Sequence, residues 1–222
     1  MEEDEFGPEL QYWYSFQTSF CRIVNNELLP TTMNIKLGIE IIEEEEMRNA
    51  ITRLDHWKEN FLSSAIAVSS QDAIGFEMLL DADSHPRMSN PLMITPGMPT
   101  DSRLMMIFQA KIEAIADGAF TISSIEGESD NAAGLTVTFM GDTEDELPAM
   151  ENWLSGPSWF EEPWWRRNDI SMIDIVASEE ADLTVRPVWA STFDFLKEME
   201  EAQRPATIIT GNFEPRIHDP KE

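Results

Sequence analysis

Carboxylates are the side chains in which this sequence is richest, and the chemistry they could carry is cation binding and acid–base catalysis. Asp81-Ala82-Asp83-Ser84-His85 places oxygen ligands at alternate positions, as the first half of a calcium loop does. The pattern then fails, because Pro86 stands where such a loop turns on glycine and Leu92 where it needs a bidentate acid. Adjacent acids such as Glu161-Glu162 and Asp145-Glu146 are of the type used in general acid–base catalysis. In a chain with 42 acidic residues, such pairs arise without selection for chemistry. The histidines His56, His85 and His218 are scattered, and Cys21 is alone. There is no Gly-rich phosphate loop, no paired-histidine zinc helix, no nucleophile elbow and no cysteine pair. The residues imply no cofactor, and they point away from an enzyme.

What remains is charge. The net charge is −27 over 222 residues, and it is unevenly placed. From Ile112 to Trp165 there is no Lys or Arg, while Glu126, Glu128, Asp130, Asp142, Glu144, Asp145 and Glu146 all fall in that window. A field of this sign repels nucleic acid and anionic membrane and attracts cationic surfaces, with faster association at low salt. Those seven acids are the candidate contacts for a basic protein partner. Trp164, Trp165 and Arg166 join them, because Trp and Arg dominate interface hot spots. Two adjacent tryptophans in an extended segment point to opposite sides, which places one at the surface under a guanidinium. The competing reading of Trp164-Trp165-Arg166-Arg167 is structural: its two cations latch the acidic segment to the rest of the chain.

The elements that must position these residues follow from periodicity. Tyr12, Tyr14, Phe16, Phe20 and Val24 alternate as a strand. After the turn signal Asn25-Asn26 and Pro30, Met33, Ile35, Leu37, Ile39 and Ile41 form a second strand, making a hairpin with the first. Glu43 to Glu46 open a helix carrying Met47, Ile51, Leu54, Phe61 and Ala65, and their acids complement the helix dipole. Ile74, Phe76, Met78 and Leu80 mark a connecting strand, and Leu92 to Thr95 a short strand inside a Pro-rich loop. Thr100 or Asp101 caps a second helix, striped by Leu104, Ile107 or Phe108, Ile112 and Ile115 and stopped by Gly118. Phe120 to Ile125 and Leu135 to Met140 make another hairpin around an acidic loop, Glu126 to Gly134.

This order predicts an α+β domain over residues 10–141: a largely antiparallel sheet of two hairpins plus a connecting strand, with two helices on one face. Residues 1–9 read as a disordered acidic N-terminus and 206–222 as a loose tail. Between them, 142–205 is acidic, punctuated by Pro and rich in Trp. It is expected to wrap the core irregularly, with a short helix near 188–203. No apolar run is long enough for a membrane span, and no cleavable apolar segment follows the acidic start, so a soluble cytoplasmic protein is expected.

The leading functional expectation is a non-enzymatic acidic binding protein that engages a basic protein surface as an inhibitor, immunity protein, nucleic-acid mimic or assembly factor. Duplex DNA presents about one charge per 1.7 Å of axis, a density that a face studded with carboxylates approximates. The alternatives are a structural or assembly subunit that packs through its Trp-rich segment and an enzyme with a carboxylate-rich metal site. The bland alternative is acidity that serves solubility alone. Oligomeric state stays open. The strand and helix pattern is common to many unrelated α+β domains and identifies no family.

Overall fold

The structure, a computed structural model, describes residues 11–72 and 90–193. It is an α+β fold built on a six-stranded mixed sheet in the order β4-β3-β1-β2-β5-β6. β1 (Gln11–Val24) and β2 (Glu27–Ile41) form a long antiparallel hairpin in register from Val24↔Glu27 to Gln11↔Glu40. Its turn residues Asn25 and Asn26 both have positive φ, 52° and 63°, as a two-residue primed turn requires. Pro30 lies inside β2 rather than in the turn. It is tolerated because it faces Cys21, whose N–H is bonded away to the Ala65 carbonyl, so no donor is wanted at that pair.

α1 (Glu44–Trp57) buries Ala50, Leu54 and Trp57 and runs into a single π turn, Lys58–Leu62. The expected continuation to Ala65 is corrected: the chain leaves the helix at Ser63 and Ser64, the latter at φ 86°, and enters β3 (Ile66–Ser69). β3 pairs parallel with β1, and β4 (Leu92–Thr95) pairs parallel with β3. The sheet is therefore mixed, not largely antiparallel. The connecting strand expected at Ile74–Leu80 lies outside the described residues, as do both termini and most of the helix expected near 188–203. Of that last stretch, the described part is a 3-10 turn, Val188–Ala190.

α2 (Asp101–Ala116) begins where the Thr100 side chain accepts from Arg103 N–H and ends at Asp117, φ 54°, followed by Gly118, φ 83°. β5 (Phe120–Ser129) is longer than its sequence pattern. A bulge opposite Gly38/Ile39 inserts one residue, so the buried set passes from Phe120 and Ile122 to Ile125, Gly127 and Ser129. The region expected as an acidic loop, Glu126 to Gly134, is thus half strand. β6 (Thr136–Phe139) pairs with β5 at the sheet edge.

The two halves of the sheet are covered differently. The parallel half is buried on both faces: Ala67 and Met93 face the main core, while Ile66, Val68 and Ile94 join Ile23 in a second cluster behind it. The antiparallel half turns Ile35, Leu37, Ile39, Ile122 and Ile125 onto the helices and keeps its other face in solvent. Trp57 and Phe20 meet Phe108 edge-on, with centroids 6.3 and 6.2 Å away. Gly127 lets α2 approach the sheet, since a Cβ there would lie 2.3 Å from Met105 Sδ.

Phe108 is fully buried at the crossing of sheet and helices. Phe108→Ala is expected to cost roughly 3–5 kcal/mol by cavity formation, measured by urea unfolding. Gly127→Ala is expected to cost about 1–3 kcal/mol by overpacking against Met105.

Candidate functional site

α2 is buried almost all round from Leu104 to Ile112, because the sheet covers one side and the C-terminal segment from residue 142 covers the other. On that second side sits Lys111, 0% exposed. An isolated ammonium cannot stay dry, so acceptors must come to it. Lys111 Nζ donates to the carbonyls of Trp164 at 3.0 Å and Arg167 at 2.9 Å and lies 3.5 Å from Asp169 Oδ1. Asp169, also 0% exposed, accepts from Arg167 Nε at 3.0 Å, from Arg186 Nη2 at 2.8 Å and from the Ser171 N–H and hydroxyl. Asp174 closes the lattice: it pairs with Arg167 Nη1 and accepts from the Trp164 N–H at 2.8 Å and the Trp153 indole at 3.0 Å.

Burial dominates the ionisation of this lattice. It pushes the Lys111 ammonium down to about 7, with Asp169 opposing and Arg167 adding to the fall. Burial alone raises the Asp169 carboxyl, yet Lys111, Arg167 and Ser171 together bring it to about 2. Asp174 stays above its ordinary range through burial, against the lowering effect of Arg167 and the two N–H donors.

Trp153, bonded to Asp174 of the lattice, is one of the residues around an open cleft of about 720 Å³, which is also lined by Ser70, Gln71, Arg103, Asn152 and the turn α3 (Thr143–Glu146). The cleft lies beyond the C-terminal ends of β3 and β4, and Trp153, held by Asp174, ends the short helix α4 (Met150–Trp153) beside it. Asp142 caps α3, accepting from the Glu144 N–H at 2.8 Å. Its last carbonyls are taken by arginines: Arg103 donates to Glu146 O at 3.1 Å, and Arg166 to Glu144 O and Leu147 O, both at 3.4 Å. Because the guanidinium groups hold the backbone, the side chains of Glu144, Asp145 and Glu146 are left exposed, and none is in an ion pair among the described residues.

The acids singled out from sequence therefore fall in two places. Glu144, Asp145 and Glu146 line the cleft, with Asp142 at the head of their turn. Glu126 and Glu128 stand on the solvent face of β5, in a separate groove of about 350 Å³ with Ser15, Asn34, Lys36 and Thr136. Asp130 closes the β5–β6 turn, accepting from the Thr32 N–H at 3.1 Å. Lys36 sits 3.7 Å from Glu126 and 3.9 Å from the centroid of Trp13, so this face is not purely acidic.

Trp164 and Trp165 require a correction. Both are 0% exposed, so neither offers its ring to a partner. The expectation that one faces solvent assumed an extended segment; the 3-10 turn Trp164–Arg166 lets both rings enter the core, with centroids 5.6 Å apart. Trp164 Nε1 donates to Ile94 O at 2.8 Å. Arg166 is half-buried on carbonyls as described, and Arg167, the second cation of the latch read from sequence, enters the lattice. The sequence reading also missed Lys111, Asp169, Ser171, Asp174 and Arg103. Lys111 carried a faint signal as a charge inside the apolar stripe of α2; the others carried none. His56 rests against Phe61 and Phe193, with ring centroids 5.7 and 6.2 Å away. The calcium-like Asp81–His85 string and His218 lie outside the described residues. Among the described residues, no three His, Cys, Asp or Glu side chains gather as a metal site would require, and no helix is long and apolar enough to cross a membrane.

A pH dependence follows with a definite sign. The folded Lys111 pKa of about 7 lies below its ordinary 10.5, so between these values the unfolded chain binds more protons and stability rises with pH. Asp169, held at about 2 against 3.8, contributes stability that is present above 3.8 and lost as pH falls toward 2. Denaturant unfolding at pH 7, 8.5 and 10 is expected to show the rise in the native protein and a flatter profile in Lys111→Met.

No family model matches this chain, and no curated protein does. Among solved structures it is similar to an uncharacterized protein, WS1659 from Wolinella succinogenes, at 12% identity and a TM-score of 0.38, over 60% of this chain and 99% of that one.

Proposed function

We propose that this is a non-catalytic binding protein whose acidic surface engages a basic protein surface, in the manner of an inhibitor, an immunity protein or a nucleic-acid mimic. The observation that supports this reading most directly is the α3 turn. Arg103 and Arg166 grip its backbone carbonyls and leave Glu144, Asp145 and Glu146 exposed at the mouth of a cleft. A carboxylate triplet whose backbone is held and whose side chains are in no ion pair among the described residues gives a cationic side chain a site that is already arranged, which reduces the ordering cost of binding. A chain-wide charge of −27 supplies the steering. The cytoplasm is the proposed location.

The alternative, an assembly subunit that packs through its Trp-rich segment, would have to use residues other than Trp164 and Trp165, which are buried.

A partner captured at low salt is expected to be basic and to be released steeply as salt rises. Reversing Glu144, Asp145 and Glu146 to Lys is expected to slow association about ten-fold or more, read by stopped flow, with a smaller change in dissociation. The same reversal at Glu44, Glu45 and Glu46, an exposed acidic turn at the start of α1, changes net charge equally. Equal slowing by both triplets would show that net charge, not the cleft, is what the partner meets.

A further inference from the structure

The two edges of the sheet are treated in opposite ways. At the β4 edge the C-terminal segment lies alongside, where Ile94 N–H donates to Met172 O at 2.9 Å and Ile94 O accepts from the Trp164 indole at 2.8 Å. At the β6 edge no described strand or segment pairs with the outer side of Thr136–Phe139. Natural edges are usually blunted by charge, proline or a cover. Leu135-Thr136-Val137-Thr138-Phe139-Met140 has no charge and no proline, in a chain where 42 residues are acidic. Its flanking side chains are open to solvent, Leu135 at 70% and Met140 at 75%.

We propose that β6 is an acceptor edge to which an extended segment of a basic partner adds as a seventh strand. The inference rests on the acidic-surface reading and specifies how the partner is held. Main-chain hydrogen bonds to β6 supply affinity, and the two faces of the added strand supply selection. On the core side, its apolar residues extend the row of Val137 and Phe139, which already packs on the main core, and cover Leu135. On the solvent side, the register carries Glu126 across to Thr138 and Glu128 across to Thr136. A residue added beyond either threonine stands two strands from the carboxylate, about 10 Å, within reach of a Lys or Arg meeting a Glu. The matching segment therefore alternates apolar residues with Lys or Arg. Charge argues against a second copy of this chain: pairing β6 with β6 brings together two bodies of net charge −27 and sets the Asp130 end of one beside the Asp142 end of the other.

The test uses the full chain and two blocked eight-residue peptides alternating Lys and Val, one of them N-methylated at every residue so that it keeps its charge but has no N–H left to pair along either edge. Amide NMR is expected to show shifts confined to β6 and its neighbours, with binding of the methylated peptide on the order of ten-fold weaker. Equal binding of both peptides, with shifts at Glu144–Glu146, would overturn the edge and leave the acidic reading standing. Binding at Thr136–Phe139 that is indifferent to salt would support the edge and overturn the acidic reading. No binding of either peptide at low salt overturns the edge. Dimerisation seen by sedimentation, and abolished by Thr138→Pro in a variant that still unfolds cooperatively, would overturn the choice of occupant.

Discussion

The dry ammonium of Lys111 is the constraint around which the rest of the structure is arranged. A cation on the buried side of a helix is tolerable only if acceptors surround it, and α2 can supply none from its own hydrogen-bonded backbone. The chain brings them from more than fifty residues away, as the carbonyls of Trp164 and Arg167 and the carboxylate of Asp169. Satisfying one charge introduces others, so Arg167, Arg186, Ser171 and Asp174 follow in a closed set, and Asp174 then fixes both Trp153 and Trp164. Such a lattice is a poor source of net stability compared with an apolar core, but removing one member leaves another charge buried and alone. It gives the irregular segment one place to lie.

Several arginines bind backbone carbonyls at the ends of helices. Arg53 donates to the carbonyls of Ile115 and Ala116, Arg103 to Glu146 O, and Arg166 to Glu144 O and Leu147 O. These guanidinium groups close helix ends, and Arg166 also lies 3.9 Å from the Glu162 carboxylate.

Legibility in the sequence tracked periodicity. The β1–β2 hairpin was readable because Asn25-Asn26 separates two alternating runs, and α2 because Thr100 and Gly118 bracket a regular stripe. β3 was not, since Ile66–Ser69 is buried on both faces and shows no alternation. The bulge in β5 reversed the phase, so Glu126 and Glu128 looked like loop residues when they stand on a strand. Half of the candidate site, the carboxylates of α3, was visible as a charge cluster. Its supports were not: Lys111, Asp169 and Asp174 meet only once the chain is folded, and the tryptophans beside them were judged by an extended geometry that the 3-10 turn replaces.

The position of the C-terminal segment also orders the events of folding. The β1–β2 hairpin closes from neighbouring residues, but β2 must wait for β5, with Met33 meeting Ser129 across most of the core. Contacts that distant carry a loop-closure penalty before they return any burial. Lys111 has nothing to receive its protons until residues 164–174 arrive, so its water is released only when that segment docks. On a ribosome, those residues are also among the later ones to emerge. Before that segment docks, the chain therefore holds a hydrated ammonium on an otherwise apolar helix face.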